Sequence, residues 1–142
     1  MNLSPAKAQL FTLTGTHEEQ RQAMLLFLKS VPNFSLFVDC ERRISKALSL
    51  PTDLPWVLYV GHRDIGTIIS VLQEIQRSIT LKYVVIDPIN SLSNEHQALF
   101  IFSIHFLFPH LVFFFLFESK ENVLMHDVQK ISQYQIMEVL QP

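Results

Sequence analysis

The feature of this sequence that most constrains its fold is the alternation of short apolar runs with helical segments. The runs are apolar on both faces, and strict in/out alternation, which would indicate a sandwich, is missing. A parallel sheet covered by helices on both sides requires strands of this kind. The predicted strands are residues 8–14, 34–40, 56–60, 82–87, 111–117 and 134–140.

Helical periods separate these runs. Residues 17–31 predict a helix closed by Pro32, and Ser93 can cap a helix that reaches about residue 106. Residues 64–78 predict a helix with an apolar stripe, formed by Ile65, Ile68, Ile69, Leu72 and Ile75. A short helix is also expected over residues 41–50, before a proline-containing loop at 50–55. We therefore predict an α/β fold, a three-layer sandwich with a mainly parallel sheet of about five strands.

Length and composition exclude several classes of protein. The 142 residues fit a single domain spanning 1–142. A chain that is 49% hydrophobic and only 17% charged is not a disordered tail. Its 11 Lys and Arg against 13 Asp and Glu argue against nucleic-acid binding through basic charge. The N-terminal residues lack a secretory pattern, so we expect a cytoplasmic protein.

Residues 98–117 allow two interpretations. These twenty residues carry no formal charge, which is about the length that spans a bilayer. However, Pro109 lies inside the segment, and His105 and His110 lie on either side of this proline. The Phe-rich second half of the segment favours a strand. We favour a helix, a proline turn and a buried strand, and a small membrane-anchored protein remains the alternative.

A glycine that follows a strand and precedes a helix is where phosphate-binding loops occur. When the pattern GxxxxGK[ST] is aligned from Gly15, Gln20 replaces the second glycine, Arg21 replaces the lysine and Gln22 replaces the hydroxyl residue. Only the first glycine is retained. The side chain of Gln20 would obstruct a phosphate, and Gln22 is a poor ligand for Mg²⁺.

The start of the same helix has the signature of a capping box, with Thr16 as N-cap and Glu19 at the third helical position. Glu18 and Glu19 occupy the positive end of the helix dipole, where carboxylates are stabilising. They would also repel a triphosphate. We therefore predict a helix that satisfies its own N-terminus with protein carboxylates.

The other residues with possible chemistry form no recognisable site. Asp87 ends a strand as the acidic residue of an ATPase would, but Pro88 follows it. Cys40 lies between Asp39 and Glu41, which should raise the pKa of its thiol, so we interpret it as a small buried residue. The six histidines form no zinc-binding pair on one helical face, and we interpret Arg42, Arg43 and Lys46 as a solvated helix face. We expect no catalytic residue, no cofactor and no metal.

The segments LTGTHEEQRQAMLLFLKS, FSLFVDC and RDIGTIISVLQEIQRSITLKYVVIDPINSLSNEHQALF together resemble a P-loop ATPase core. The closest likeness is to clamp-loader subunits of the AAA+ delta-prime type. In VVIDPINSLSNEHQALF, family motif positions are matched by Leu92, Ser93, Gln97 and Phe100. Ser119 falls near the family's sensor position, and Gln133 falls where its arginine finger would be. The chain is also similar to degenerate RecA-like recombination paralogues and cell-division inhibitors, from which strand order would distinguish it.

The resemblance implies a non-catalytic subunit that contacts protein partners, namely replication or repair subunits or further copies of itself. A degenerate RecA-like regulator of recombination or cell division is the alternative. A further possibility is an enzyme of another class using Asp39, Asp87 or Glu118 at the strand ends. The high apolar fraction of so small a chain also predicts exposed apolar surface that is buried against another subunit.

Overall fold

The structure is a computed structural model that describes residues 8–41, 56–118 and the short strand 134–135. Its strands are β1 (Gln9–Thr12), β2 (Phe34–Asp39), β3 (Val57–Val60), β4 (Leu81–Asp87), β5 (Val112–Phe115) and β6 (Tyr134–Gln135). Its helices are α1 (His17–Ser30), α2 (Ile65–Gln76) and α3 (Asn94–Leu107). A 3₁₀ turn at Ile89–Ser91, which the sequence pattern did not predict, joins β4 to α3.

The described strands form one sheet in the order β3-β2-β4-β5-β1-β6, and every pairing between neighbours is parallel. Five of the six strands lie within residues 9–115, and the two-residue β6 pairs with β1 through Phe11 and Thr12. The predicted α/β fold with a parallel sheet is confirmed.

The helices lie on opposite faces of the sheet. Met24 and Leu28 of α1 pack with Phe37 in one hydrophobic cluster. Ile68 of α2 and Phe100 of α3 belong to the larger cluster on the other face. This follows from topology, because the chain moves along the sheet in one direction after β1 and in the opposite direction after β3 and β4, and crossovers share one hand.

Successive side chains along each strand point to opposite faces of the sheet and so belong alternately to the two hydrophobic clusters. In β2, Leu36 and Val38 contact the α2–α3 side while Phe37 contacts the α1 side, and Val84, Val85 and Ile86 repeat this pattern in β4. The register pairs these six residues across the two strands, Leu36 with Val84, Phe37 with Val85 and Val38 with Ile86, and all six are fully buried. The interpretation of the runs as strands buried on both faces is therefore confirmed for β2 and β4, whereas the edge strand β3 is only partly buried.

Each helix begins where a side-chain cap was available. The hydroxyl of Thr16 accepts from the backbone of Glu19, Asp64 accepts from Thr67, and Ser93 accepts from His96. Strand β5 is shorter than predicted because the N–H of Phe117 donates to a side chain of α1. The predicted short helix at 41–50, the loop at 50–55, the basic residues Arg42, Arg43 and Lys46, and Ser119 and Gln133 lie outside the described residues.

The uncharged segment 98–117 is not one helix. Helix α3 ends at Leu107, Pro109 lies in a turn, His110 has a positive φ of 77°, and β5 begins at Val112. The prediction of a helix, a proline turn and a buried strand is confirmed. Within the described parts of the chain, no helix has both the length and the apolar character that crossing a membrane requires.

Candidate functional site

The candidate site lies at the carboxyl edge of β4, β5 and β1, where open α/β sheets hold ligands. The chain leaves β1 through α1 on one face and leaves β4 through α3 on the other, so the connections diverge at this edge. The loop after β1 and the first turns of α1 reach across this edge, since α1 side chains contact both Asp87 and Phe117. The segment that the sequence analysis compared with a phosphate-binding loop, residues 15–22, lies at this edge.

The loop that leads into α1 is held by hydrogen bonds to a side chain in the first turn of that helix. Gly15 has a φ of +98°, a conformation that favours glycine. The backbone N–H of Thr16 donates to Glu19 Oε1 at 2.9 Å, and the N–H of Glu19 donates to Thr16 Oγ1 at 3.1 Å. Hydrogen bonds that the Glu19 carboxylate accepts from the backbone N–H and the hydroxyl of Thr16 lower its pKa. The predicted capping box is confirmed, and the Glu19 carboxylate holds a loop N–H of the kind that binds phosphate in a P-loop.

Gln20 connects this loop to the end of β5. Its side chain is 3% exposed, and its Nε2 donates to the carbonyl of Gly15 at 2.9 Å and to that of Phe117 at 3.1 Å. Its Oε1 accepts from the N–H of Phe117 at 2.8 Å. The residue in place of the second P-loop glycine is therefore a structural tie between the loop and β5.

Asp87, at the end of β4, is held by two side chains of α1. Its carboxylate is 2% exposed, and its Oδ1 lies 2.5 Å from His17 Nε2. Its Oδ2 lies 3.2 Å from Arg21 Nε. Each oxygen of the buried carboxylate thus has a partner from α1, and the positive charge of Arg21 offsets the cost of desolvating Asp87.

Sequence reasoning missed this cluster. It interpreted His17 as an ordinary histidine and Arg21 only as a substitute for the P-loop lysine. The one signal available was the spacing of the two residues, because positions i and i+4 share a helical face. Their partner Asp87 lies 70 positions from His17, so the sequence alone could not supply the pairing.

A second buried carboxylate lies beside the first. Asp39 is the register partner of Asp87 and is 1% exposed. The hydroxyl of Tyr59 in β3 donates to Asp39 Oδ2 at 2.7 Å. The structure thus brings together two of the three residues proposed for an enzyme. The third, Glu118, has its backbone held by the side-chain amide of Asn90 through two hydrogen bonds of 2.9 Å.

Cys40 follows Asp39 and is not a reactive thiol. Its side chain is buried, and its backbone N–H donates to the Asp87 carbonyl at 2.8 Å. Burial, assisted by the negative charges of Asp87, Asp39 and Glu41, raises the pKa of the thiol to about 12. The prediction that its surroundings raise rather than lower this pKa is confirmed.

A cavity of about 670 Å³ opens beside this edge, and its described lining is Cys40, Glu41, His62, Arg63 and Asp64. Neither Asp39 nor Asp87 is among these lining residues. The carboxylate of Asp64 is engaged in capping α2 through the N–H and hydroxyl of Thr67, and that of Glu41 accepts from Ser91. The two buried strand-end carboxylates therefore do not face this cavity.

The residues that matched the clamp-loader motif have structural roles. Leu92 and Phe100 are core residues, Ser93 caps α3, and the buried Gln97 donates to the Leu92 carbonyl at 2.8 Å. Among the described residues, no group of three His, Cys, Asp or Glu side chains is placed to hold a metal ion. Comparisons with protein-family models, with curated proteins and with solved structures find no match to this chain.

Proposed function

We propose that this protein is a non-catalytic, P-loop-like α/β domain that acts by binding other protein chains. The observation that carries the proposal is the pairing of Asp87 with His17 and Arg21. In an ATPase, the acidic residue at such a strand end serves Mg²⁺, and the basic residue of the loop serves the phosphates. Here the Asp87 carboxylate and the Arg21 guanidinium form an ion pair with each other.

The closed loop supports the same conclusion. A P-loop offers backbone N–H groups to phosphate oxygens, whereas here the N–H of Thr16 and that of Glu19 are taken by the capping box. The Gln20 side chain hydrogen-bonds both the loop carbonyl of Gly15 and the backbone of Phe117. The exposed carboxylates of Glu18 and Glu19 stand at the entrance and repel polyphosphates.

Exposed apolar side chains support the protein-binding part of the proposal. Leu99, Phe102 and Phe106 of α3 are each more than half exposed, and contiguous apolar patches of this kind mark interaction surfaces. By its resemblance to delta-prime-type clamp-loader subunits, the domain would act with cytoplasmic replication or repair proteins. A RecA-like regulator of recombination or cell division is the alternative assignment.

Calorimetric titration of the full chain with Mg·ATP tests the proposal. We expect no saturable heat for the wild type, because the groups that would bind phosphate and Mg²⁺ are engaged with each other. Saturable binding that is lost in Arg21→Ala and retained in Lys29→Ala would overturn it. Lys29 is the matched control, since it is an exposed basic residue in the last turn of the same helix.

A further inference from the structure

The outward face of α3 differs from those of the other two helices. Leu99 is 58% exposed, Phe102 is 72% exposed and Phe106 is 60% exposed. We call these three residues the apolar stripe. The exposed residues of α2 include no large apolar side chain, and among those of α1 only Leu26 is one. The stripe is therefore a local property of α3.

The spacing of the stripe is that of a helix-pairing seam. Residues 95, 99, 102 and 106 are separated by four, three and four positions, which places Glu95 at the N-terminal end of the same line. Side chains at this spacing form the contact line of two helices that pack side by side. The helix has 14 residues, so the seam runs along about 20 Å.

We propose that the apolar stripe binds a second copy of this chain, with the two α3 helices antiparallel about a twofold axis near Phe102. This arrangement places Leu99 against Phe106 of the second copy and Phe102 against its own equivalent. An isologous contact requires this self-complementarity.

The two ends of the seam complement each other in a second copy of this orientation, because an imidazole N–H can donate to a carboxylate. The N-terminal end of the seam carries the exposed Glu95, and the turn beyond its C-terminal end carries the exposed His110. Antiparallel pairing brings Glu95 of each copy to His110 of the other and opposes the two helix dipoles. Parallel pairing would place like ends together. The inference deepens the proposed function, because it names the protein partner.

Sedimentation velocity of the full chain over a wide concentration range tests the inference. We expect the wild type to reach twice the 16.5 kDa chain mass, Phe102→Asp to remain monomeric, and Leu26→Asp to dimerise as the wild type does. Leu26 is the matched control, because it is 69% exposed on a different helix. Circular dichroism confirms that each variant is folded.

A wild type that is monomeric throughout, or a folded Phe102→Asp variant that still dimerises, overturns the inference. If the monomeric wild type also binds no Mg·ATP, the second copy is wrong while the absence of nucleotide binding stands. If a dimeric wild type binds Mg·ATP through Arg21, the proposed function fails and the dimer stands. The two failures are therefore distinguishable.

A charge exchange tests the register. Glu95→Lys and His110→Asp should each weaken dimerisation by about two- to fivefold per pair, which is typical of exposed charge pairs, and the double variant should recover the wild-type affinity. Asp is chosen at position 110 because it tolerates the positive φ found there. A double variant at least as weak as the weaker single variant would overturn the antiparallel register.

Discussion

Gln20 of α1 and Phe117, which follows β5, are joined by two hydrogen bonds in opposite directions. The Gln20 amide nitrogen donates to the Phe117 carbonyl at 3.1 Å, and its oxygen accepts from the Phe117 N–H at 2.8 Å. The side chain thus satisfies both backbone groups of a buried residue, as a neighbouring strand would. It also ties the β1–α1 loop to the carboxyl edge of the sheet.

Replacing Gln20 by Ala should lower the free energy of unfolding by about 1–3 kcal/mol, because it leaves buried backbone groups of Phe117 without a partner. Urea denaturation followed by circular dichroism measures the change. Gln22→Ala is the control, since Gln22 is exposed on the same helix, and it should stay within about 0.5 kcal/mol of the wild type. Equal losses in the two variants would contradict the role assigned to Gln20.

Replacing Asp87 by Ala should lower the free energy of unfolding by about 3 kcal/mol, since it leaves the partly buried Arg21 guanidinium without its counter-charge and His17 without its hydrogen-bond partner. Glu74→Ala is the control, because Glu74 also pairs with an arginine but both side chains are 75% exposed. That variant should change stability by less than about 1 kcal/mol. If Asp87→Ala is as stable as Glu74→Ala, the cluster at the strand end is not a structural ion pair.

The thiol of Cys40 should resist modification in the native protein. At pH 8 a thiol whose pKa is raised to about 12 is almost wholly protonated, and it is also buried. We expect slow reaction with a thiol reagent in buffer and rapid reaction in denaturant. By linkage, stability should fall as the pH rises above 9, where the unfolded thiol ionises first. Fast modification of the folded chain would contradict this.

The caps of α1 and α2 should contribute to acid sensitivity. Hydrogen bonds lower the pKa values of Glu19 and Asp64 in the folded state. A lowered folded pKa adds stability that is present above the unfolded pKa values of 4.5 and 3.8 and is lost as the pH falls. Thermal unfolding from pH 7 to pH 2 should therefore show a shallower acid loss in Glu19→Ala and Asp64→Ala. Unchanged slopes in both variants would contradict this.

The sequence predicted the elements of the fold because the signals for them are local. The apolar runs, the predicted N-caps Thr16 and Ser93, and Pro109 each act within a few residues, and the structure places a strand, helix start or turn at each. The 3₁₀ turn at Ile89–Ser91 gave no such signal, since three residues carry no periodicity. Strand order was also beyond the sequence, because it depends on contacts between distant segments.

The candidate site was predicted only in its local part. The capping box of Thr16 and Glu19 spans three positions and could be predicted from spacing. The ties of Gln20 to Phe117 and of His17 to Asp87 span 97 and 70 positions. The sequence indicated that Gln20 and Arg21 depart from a phosphate loop, but the structure alone shows what their side chains contact instead.

The most direct test of the central claim is a titration of ¹⁵N-labelled protein with Mg·ATP, followed through the backbone amides of residues 15–21. These amides belong to the β1–α1 loop and the first turns of α1, and their chemical shifts would report a bound phosphate residue by residue. The account predicts no saturable shift in this segment at millimolar nucleotide. Saturable shifts at Gly15, Thr16 and Arg21 would contradict it.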